Sequence, residues 1–257
     1  MRCKLCSAAS AYFGRATILL KYDVQYFRCS SCSFVQTEEP YWLAEAYSDA
    51  IASLDVGIMQ RNVHNTEVTG AMISLLFSAS SRYVDFAGGH GVLVRMLRDR
   101  GFDFRWLDRY ANNIFARGFE HIEGNRYDLL TAYEVLEHFV NPLEDFEALL
   151  AYSDNLLLST VLIPDPPPQP PDWWYYAVNG GQHISFYSRN SLAWLAKRFG
   201  LCLLSHGQHH LFTRIPKMDA LFRLAVSGRT APIANRLRKR NSLVAKDFEQ
   251  VLLAPQS

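Results

Sequence analysis

The sequence predicts an α/β fold with a Rossmann-like, doubly wound sheet that follows a small cysteine-rich segment. From Ser81 onward, short apolar segments alternate with amphipathic segments. Strands that are spaced by helices form parallel sheets with right-handed crossovers. Three glycines follow the first apolar segment, and two cysteine pairs lie near the start of the chain. We therefore divide the chain into a cysteine-rich domain over 1–40, a helical cover over 41–80 and a sheet domain over 81–257 that ends in a helical segment.

The composition is that of an ordinary globular protein. The 257 residues are 49% apolar and 20% charged, which is enough material for one substantial core and a small appendage. The net charge of +1 gives no electrostatic reason to expect nucleic acid or an anionic membrane as a partner. No long apolar run follows the first basic residues, so we expect a cytoplasmic protein without a secretory signal or a transmembrane helix. The oligomeric state is left open.

Four of the five cysteines form two pairs, Cys3 with Cys6 and Cys29 with Cys32, and each pair has two residues between its members. In a reducing compartment, such pairs indicate a metal site rather than disulfides. A hairpin between the pairs would bring four thiolates to one Zn²⁺, which would be structural because its coordination shell is full. This spacing resembles a zinc ribbon. The alternative is four unrelated thiols, and Cys202 is expected to be buried as a small apolar residue.

The apolar periodicity predicts the order of the elements after residue 81. We expect four strands, at 82–86, 102–107, 127–133 and 155–163. A helix over 91–100 follows the first strand. Another begins after Asn141, where Pro142 takes the first turn and Glu144 closes a capping box. Ser188 precedes a further amphipathic helix.

Ligands of such sheets bind beyond the carboxyl ends of the strands, where both the glycine loop over 87–91 and Asp108 are expected. Glycines let the backbone approach a ligand closely, and a carboxylate at the end of the second strand can accept hydrogen bonds from ribose hydroxyls. The predicted ligand therefore carries a nucleoside. The dinucleotide fingerprint is incomplete because Val94 stands where its third glycine belongs, and no Lys-Ser or Lys-Thr pair makes a P-loop.

Three segments in order carry a resemblance to a known family. Val84-Asp-Phe-Ala-Gly-Gly-His-Gly91, then Asp108, then Tyr127-Asp-Leu-Leu-Thr-Ala-Tyr-Glu-Val-Leu-Glu-His138 resemble the first, second and fourth motifs of class I S-adenosylmethionine-dependent methyltransferases. The resemblance covers roughly residues 60 to 205. One departure is Ala87, which stands where the family has its first glycine.

The resemblance implies a set of cofactor contacts. The methionine part of S-adenosylmethionine would be held by Asp85, Ala87, Gly88, Gly89 and Gly91. Asp108 would bind the ribose, and Tyr133 and Glu134 would lie against the cofactor. A zinc ribbon ahead of this fold is also similar to sugar C-methyltransferases, which act on nucleotide-linked sugars.

Methyl transfer requires the acceptor atom in line with the methyl–sulfur bond. Positioning can lower the barrier by about 7–11 kcal/mol, whereas a general base gives roughly 10² to 10⁴ in rate. For the base we select His183, because imidazole titrates near neutral pH. His138, which Glu137 could orient, is the second candidate base, and Tyr187 is a candidate acid. The alternatives are a hydrogen bond of His183 within its loop, packing of the Glu137-His138 pair at a strand end, and packing of Tyr187.

The sequence thus predicts a methyltransferase that acts on a small-molecule acceptor, with a sugar or nucleotide sugar as the specific candidate. Trp173 and Trp174 are expected either to line the acceptor pocket or to fill the core. Two other functions stay open. The first is RNA methylation with the ribbon touching nucleic acid, which the neutral charge disfavours. The second is a cofactor-binding module without turnover.

Overall fold

The computed structural model of the protein describes residues 1–48, 56–78, 80–216, 218–237 and 240–253. Residues 49–55 of the predicted helical cover lie outside these ranges. The chain divides into two compact units, of which the first comprises Met1–Leu54, Tyr133–Leu150 and Leu158–Arg214. The second comprises Asp55–Ala132, Ala151–Leu157 and Ile215–Ser257. Among the described helices, none has both the length and the apolar character that crossing a bilayer requires.

The first unit contains a four-stranded antiparallel sheet. Its strands are β1 (Ser10–Ile18), β2 (Tyr22–Cys29), β3 (Val35–Thr37) and β8 (Ser185–Phe186), in the order β1-β2-β3-β8. β1 and β2 form the hairpin that the sequence predicts between the cysteine pairs. The helix α1 (Leu43–Ala46) follows, and the core beneath this sheet includes Val24, Tyr26, Trp42 and Tyr176.

The link between β3 and β8 joins the N-terminal hairpin to a segment far along the chain. Val35 pairs with Phe186, and Gln36 pairs with Ser185. Ser188, directly after this segment, donates a hydrogen bond from its hydroxyl to the carbonyl oxygen of Cys32 at 3.0 Å. The loop that carries the second cysteine pair is thereby fixed to the start of a helix more than 150 residues later.

A six-stranded, mostly parallel sheet has the order β5-β4-β6-β7-β10-β9. Its strands are β4 (Arg82–Phe86), β5 (Asp103–Leu107), β6 (Leu129–Tyr133), β7 (Leu156–Ser159), β9 (Cys202–His206) and β10 (His209–Thr213). β4 runs parallel to both β5 and β6, and β9 and β10 form an antiparallel pair. The predicted α/β class with a Rossmann-like sheet is confirmed.

Helices complete both units. They are α2 (Ile58–Leu76), α3 (Val92–Asp99), α4 (Pro142–Leu150), α5 (Arg189–Arg198), α6 (Asp219–Val226), α7 (Ala231–Leu237) and α8 (Val244–Leu253). α3 buries Leu93 and Leu97, which are four residues apart and therefore lie on one face. α5 begins with the predicted Ser188, whose side chain accepts from the Ser191 N–H while the Ser191 hydroxyl accepts from the Ser188 N–H. This reciprocal pair satisfies two backbone donors that the first turn leaves free.

Three local predictions need correction. The fourth predicted strand is short because the N–H groups of Thr160 and Ile163 donate to Gln208 and Tyr187 instead of continuing the strand. At the start of α4, the carboxylate that accepts from the Asn141 N–H, at 2.9 Å, belongs to Asp145 and not to the exposed Glu144. Cys202 is exposed, because it lies on β9 at the edge of the sheet.

Candidate functional site

The loop after β4 adopts a conformation that few residues other than glycine accept readily. Ala87, Gly89 and Gly91 all have positive φ, at 55°, 53° and 84°. For an alanine, this left-handed conformation costs about 1–2 kcal/mol because its Cβ approaches the following carbonyl oxygen. The departure at Ala87 therefore leaves a strained residue at the start of the loop, and such strain is common at functional sites.

The two glycines in the middle of the loop differ in their surroundings. A Cβ on Gly88 would lie 2.9 Å from Asp85 Oδ2 and 3.0 Å from Trp106 Cδ1, so any side chain would force these groups apart. A Cβ on Gly89 would meet no heavy atom within 4 Å among the described residues. Gly88 is thus needed for close packing, and Gly89 presents bare backbone to open space.

Asp108 fixes this loop from the end of β5. Its Oδ2 accepts a hydrogen bond from the Gly89 N–H at 2.9 Å, and its Oδ1 accepts from the N–H groups of Tyr110 and Ala111 at 2.7 and 2.8 Å. The indole N–H of Trp106 donates to the Gly89 carbonyl oxygen at 2.8 Å. Because a carboxylate oxygen can accept two hydrogen bonds, Asp108 Oδ2 still has capacity for a ligand hydroxyl.

Asp85 lies beneath the loop and is 4% exposed. The hydroxyl of Thr131 donates to its Oδ1 at 2.6 Å. Burial, with a smaller contribution from the charge of Asp108, raises the pKa of Asp85 to about 7. This carboxyl group can therefore exist in either protonation state near neutral pH.

In the first unit, Glu134 follows β6 in a similarly strained conformation, with φ of 54°. Its N–H donates to Ser159 Oγ at 2.8 Å, and the Ser159 hydroxyl donates to Glu134 Oε1 at 2.5 Å. Tyr175 donates more weakly to Oε2 at 3.5 Å. Tyr133 is partly buried, with its ring 6.0 Å from that of His209. Ser159 thus holds Glu134 in one orientation.

Glu137 lies in a short 3-10 helix, Leu136–His138, and is fully buried. Neither of its carboxylate oxygens has a hydrogen-bond partner among the described residues. Burial, followed by the nearby charge of Glu134, raises the pKa of Glu137 to about 8. The expectation that Glu137 orients His138 is therefore wrong, since Glu137 makes no hydrogen bond to it.

Other partners orient the two histidines. His138 Nδ1 is 3.1 Å from the Gln182 carbonyl oxygen and 2.9 Å from the Tyr47 hydroxyl. His183 Nδ1 is 2.7 Å from the Tyr175 carbonyl oxygen. Because a carbonyl only accepts, each Nδ1 carries the proton, which leaves the Nε2 lone pair of each ring available.

The two histidine rings belong to one cluster. Their centroids lie 5.0 Å apart and the planes are nearly perpendicular, at 88°. Burial lowers the pKa of His138 to about 3, with a further contribution from His183, and burial lowers the pKa of His183 to about 4. The expected titration near neutral pH is therefore wrong for both rings, which are weak bases in this environment. Glu137, His138 and His183 each offer one ligand atom within 4.8 Å of the others.

The third predicted catalytic residue has a different environment. Tyr187 is fully buried, its hydroxyl has no partner among the described residues, and its ring packs edge-on against Phe34 at 5.0 Å. Of the adjacent tryptophans, one fills the core and the other lies on the surface. Trp173 is 8% exposed and packs in the core, whereas Trp174 is 75% exposed.

The four paired cysteines come together at the base of the hairpin. Cys3 and Cys32 have their Sγ atoms 3.7 Å apart, and those of Cys6 and Cys29 are 3.4 Å apart. All four sulfurs lie within 4.8 Å of one another. A tetrahedral Zn²⁺ with bonds of about 2.3 Å separates its sulfurs by about 3.8 Å. The sulfur positions therefore fit such an ion.

A family model described as a methyltransferase domain matches residues 60–206, which is more than half of the chain. The chain belongs to this methyltransferase domain family. No curated protein matches this chain.

Solved structures similar to this methyltransferase domain protein share little sequence with it. The mitomycin 7-O-methyltransferase is 16% identical, with 66% of this chain and 65% of that chain covered and a TM-score of 0.38. An O-methyltransferase family protein from Burkholderia thailandensis is 15% identical, with 66% of each chain covered and a TM-score of 0.40. The plantazolicin methyltransferase BpumL in complex with a monoazolic desmethylPZN analog and SAH is 14% identical, with 77% of this chain and 88% of that chain covered and a TM-score of 0.47. The chain thus spans just under two thirds of the first two of these proteins.

Within each unit, the structure places residues singled out from sequence beside one another. The loop over 87–91 contacts Asp108 and packs on Asp85, and His183 lies beside His138. Sequence reasoning missed the partners that hold these groups, namely Thr131, Trp106, Ser159, Tyr175 and Tyr47. Thr131 lies within the quoted motif, but nothing in the sequence marks the other four.

Proposed function

We propose that the protein is an S-adenosylmethionine-dependent methyltransferase that acts on a small-molecule acceptor. One observation carries this proposal. Within the region that matches the methyltransferase domain, Gly89 faces open space while its N–H is held by Asp108. A bare backbone beside a carboxylate with spare acceptor capacity suits a ligand that carries a ribose.

The residues have the following roles in this proposal. Asp108 accepts hydrogen bonds from the ribose hydroxyls, and Asp85 together with Ala87, Gly88, Gly89 and Gly91 holds the methionine part. Tyr133 and Glu134 lie against the cofactor. The fixed orientation of Glu134 and the strain at Ala87 and Glu134 support these assignments, since strained residues cluster at ligand-binding sites.

The acceptor is proposed to lose its proton at the histidine cluster. His183 is the leading acceptor of that proton because its Nε2 lone pair is available while its Nδ1–H donates to the Tyr175 carbonyl oxygen. His138 has the same tautomer and is the second candidate. The full burial of Tyr187 supports a packing role rather than proton transfer.

The four cysteines are proposed to bind one structural Zn²⁺. The sulfur separations support this assignment, and four thiolates leave no coordination position for chemistry. The resemblance of this segment to the ribbon of sugar C-methyltransferases supports a sugar or nucleotide-linked sugar as the acceptor.

Calorimetry with S-adenosylmethionine tests the cofactor assignment. We expect Asp108→Ala to weaken binding at least about tenfold, because hydrogen bonds to a charged group contribute about 1.5–3 kcal/mol. Asp172→Ala removes an exposed carboxylate elsewhere and is the matched control. An unchanged dissociation constant for Asp108→Ala would remove the assignment.

The acceptor is then sought with methyl-labelled cofactor. A fractionated metabolite pool that contains nucleotide sugars is compared with total RNA. Label in a small molecule supports the proposal, whereas salt-sensitive retention and labelling of RNA favours RNA methylation. Cofactor binding without transfer to any fraction favours a module without turnover.

A further inference from the structure

The carboxylate of Glu137 is the most anomalous polar group in the described part of the first unit. It is fully buried, and neither oxygen accepts a hydrogen bond. The hydroxyls of Tyr175 and Thr160 lie close enough to lower the pKa of Glu137, but they are bonded to each other at 3.1 Å. Buried carboxylates in native proteins are hydrogen-bonded, paired with a cation or bound to a metal. The described residues supply no cation here, so the buried Glu137 is either protonated, as its raised pKa of about 8 permits, or paired with a bound cation.

The two histidines beside Glu137 are arranged as metal ligands are. Each donates its Nδ1–H to a backbone carbonyl, His138 to Gln182 at 3.1 Å and His183 to Tyr175 at 2.7 Å. Such a bond fixes the tautomer and aims the other nitrogen, and it is the usual outer contact of a metal-bound histidine. Both side chains are partly exposed, so an ion and a further ligand can reach them.

We propose that Glu137, His138 and His183 form a binding site for a divalent transition-metal ion, separate from the cysteine site. One ligand atom from each residue lies within 4.8 Å of the others. Bonds of about 2.1 Å to one ion hold its ligand atoms at most about 4.2 Å apart, so small side-chain rotations complete the site. Two imidazoles and one carboxylate suit ions such as Fe²⁺, Mn²⁺ or Zn²⁺ and leave coordination positions open.

The chemistry of the ligands separates this site from the cysteine site. Four thiolates favour Zn²⁺ and other soft ions, whereas imidazole with carboxylate also accepts harder ions such as Mn²⁺. The cysteine site has a full shell, but the Glu137 site has room for an oxygen of another molecule. The two sites can therefore be loaded and measured independently.

The consequence for the reaction rests on the proposed function. An acceptor hydroxyl bound at an open position has its pKa lowered by the ion, as metal-bound water does. Its O–H bond then breaks, and the proton passes to solvent. The oxygen forms a bond to the methyl carbon while the carbon–sulfur bond breaks, and the electron pair of that bond stays on sulfur. In this state His183 is a ligand, so the ion replaces it as the agent of deprotonation.

Metal binding is tested on the full chain with zinc already at the cysteines and without cofactor or acceptor. Mn²⁺ is titrated, and its electron paramagnetic resonance signal reports the free ion. We expect about one Mn²⁺ per chain, with ¹⁴N couplings from coordinated imidazole in the bound spectrum. Absence of binding at millimolar Mn²⁺, or a bound ion without nitrogen coupling, would overturn the proposal.

Substitutions test whether the Mn²⁺ ion binds at Glu137, His138 and His183. Glu137→Gln and His183→Ala should each weaken Mn²⁺ binding at least about tenfold. The matched controls are Glu144→Gln and His206→Ala, which alter exposed residues and should leave binding unchanged. Equal Mn²⁺ affinity in all four variants would contradict the assignment. If a variant does not fold, the presence or absence of ¹⁴N couplings in the wild-type spectrum tests the proposal instead. Because no cofactor is present, failure here is distinct from failure of cofactor binding.

Discussion

Arg98 and Asp247 form a buried bidentate ion pair between residues 149 positions apart. Arg98 Nη2 lies 2.6 Å from Asp247 Oδ1, and its Nε lies 2.9 Å from Oδ2. The same guanidinium donates to Asp103 and the Phe104 carbonyl oxygen and lies 3.8 Å from the ring centroid of Phe119. The pair thereby attaches α8 to α3 and β5 within the second unit.

Removal of Asp247 should therefore destabilise the second unit strongly. Asp247→Ala leaves a buried cation without its main partner, and breaking such a pair costs about 3–5 kcal/mol. The free energy of unfolding in urea measures the loss. Asp219→Ala, which breaks the exposed pair with Arg223, is the control and should cost less than about 1 kcal/mol. Similar losses in the two variants would contradict this role of Asp247.

Stability should depend on pH through Asp85. Its pKa is about 7 in the folded protein against a usual 3.8, so between these values the folded state binds a proton that the unfolded state releases. Stability must then fall as pH rises through this window. Because each pKa unit corresponds to about 1.4 kcal/mol, the fall can reach about 4 kcal/mol.

The variant Asp85→Asn isolates this dependence. The difference in unfolding free energy between wild type and variant should change progressively from pH 4 to pH 7 and level off above pH 7. Urea unfolding at a series of pH values measures it, and other titrating groups cancel in the comparison. Parallel pH profiles for the two proteins would show that Asp85 does not hold a proton in the folded state.

A methyl group on Gly88 should disturb the proposed cofactor loop. It would lie 2.9 Å from Asp85 Oδ2 and 3.0 Å from Trp106, and overpacking of this kind costs about 1–3 kcal/mol. We expect Gly88→Ala to weaken S-adenosylmethionine binding by roughly fivefold to a hundredfold in calorimetry. Gly228→Ala places the same methyl group in open space and should bind normally. Equal affinities would show that the packing at Gly88 does not shape the ligand site.

The cysteine cluster can be tested with Co²⁺ in place of zinc. Thiolate ligands should give charge-transfer absorption in the near ultraviolet, and Cys29→Ser should remove most of it because one of four ligands is lost. Cys202→Ser alters the exposed fifth cysteine and should retain the spectrum. Retention of the spectrum in Cys29→Ser would exclude Cys29 from the site.

Features that depend on local spacing were predictable from the sequence. The strand over 82–86 matches β4, and Ser188 caps α5 because a cap needs only the residues of one turn. The hairpin between the cysteine pairs follows equally from a run of strand-forming residues. For the same reason, the glycine loop could be placed at the end of β4 and Asp108 at the end of the neighbouring strand β5.

Features that depend on distant residues were not predictable. Nothing near Val35 indicates its pairing with Phe186, and nothing near Arg98 indicates Asp247. The exposure of Cys202 follows from the place of β9 at the sheet edge, which is a property of the topology. Glu137 was misassigned for a related reason, since adjacency to His138 in sequence does not by itself create a hydrogen bond between the two side chains.

The pairing of β3 with β8, together with the bond from Ser188 to Cys32, gives the N-terminal segment a mechanical role. Ser185 lies two residues after His183, so the backbone that carries this histidine is anchored on the hairpin. On the proposed zinc assignment, a chelator that removes the ion should loosen that anchor and increase the mobility of the His183 imidazole. Deletion of the first forty residues should likewise lower the proposed activity, even though every residue of the matched domain remains.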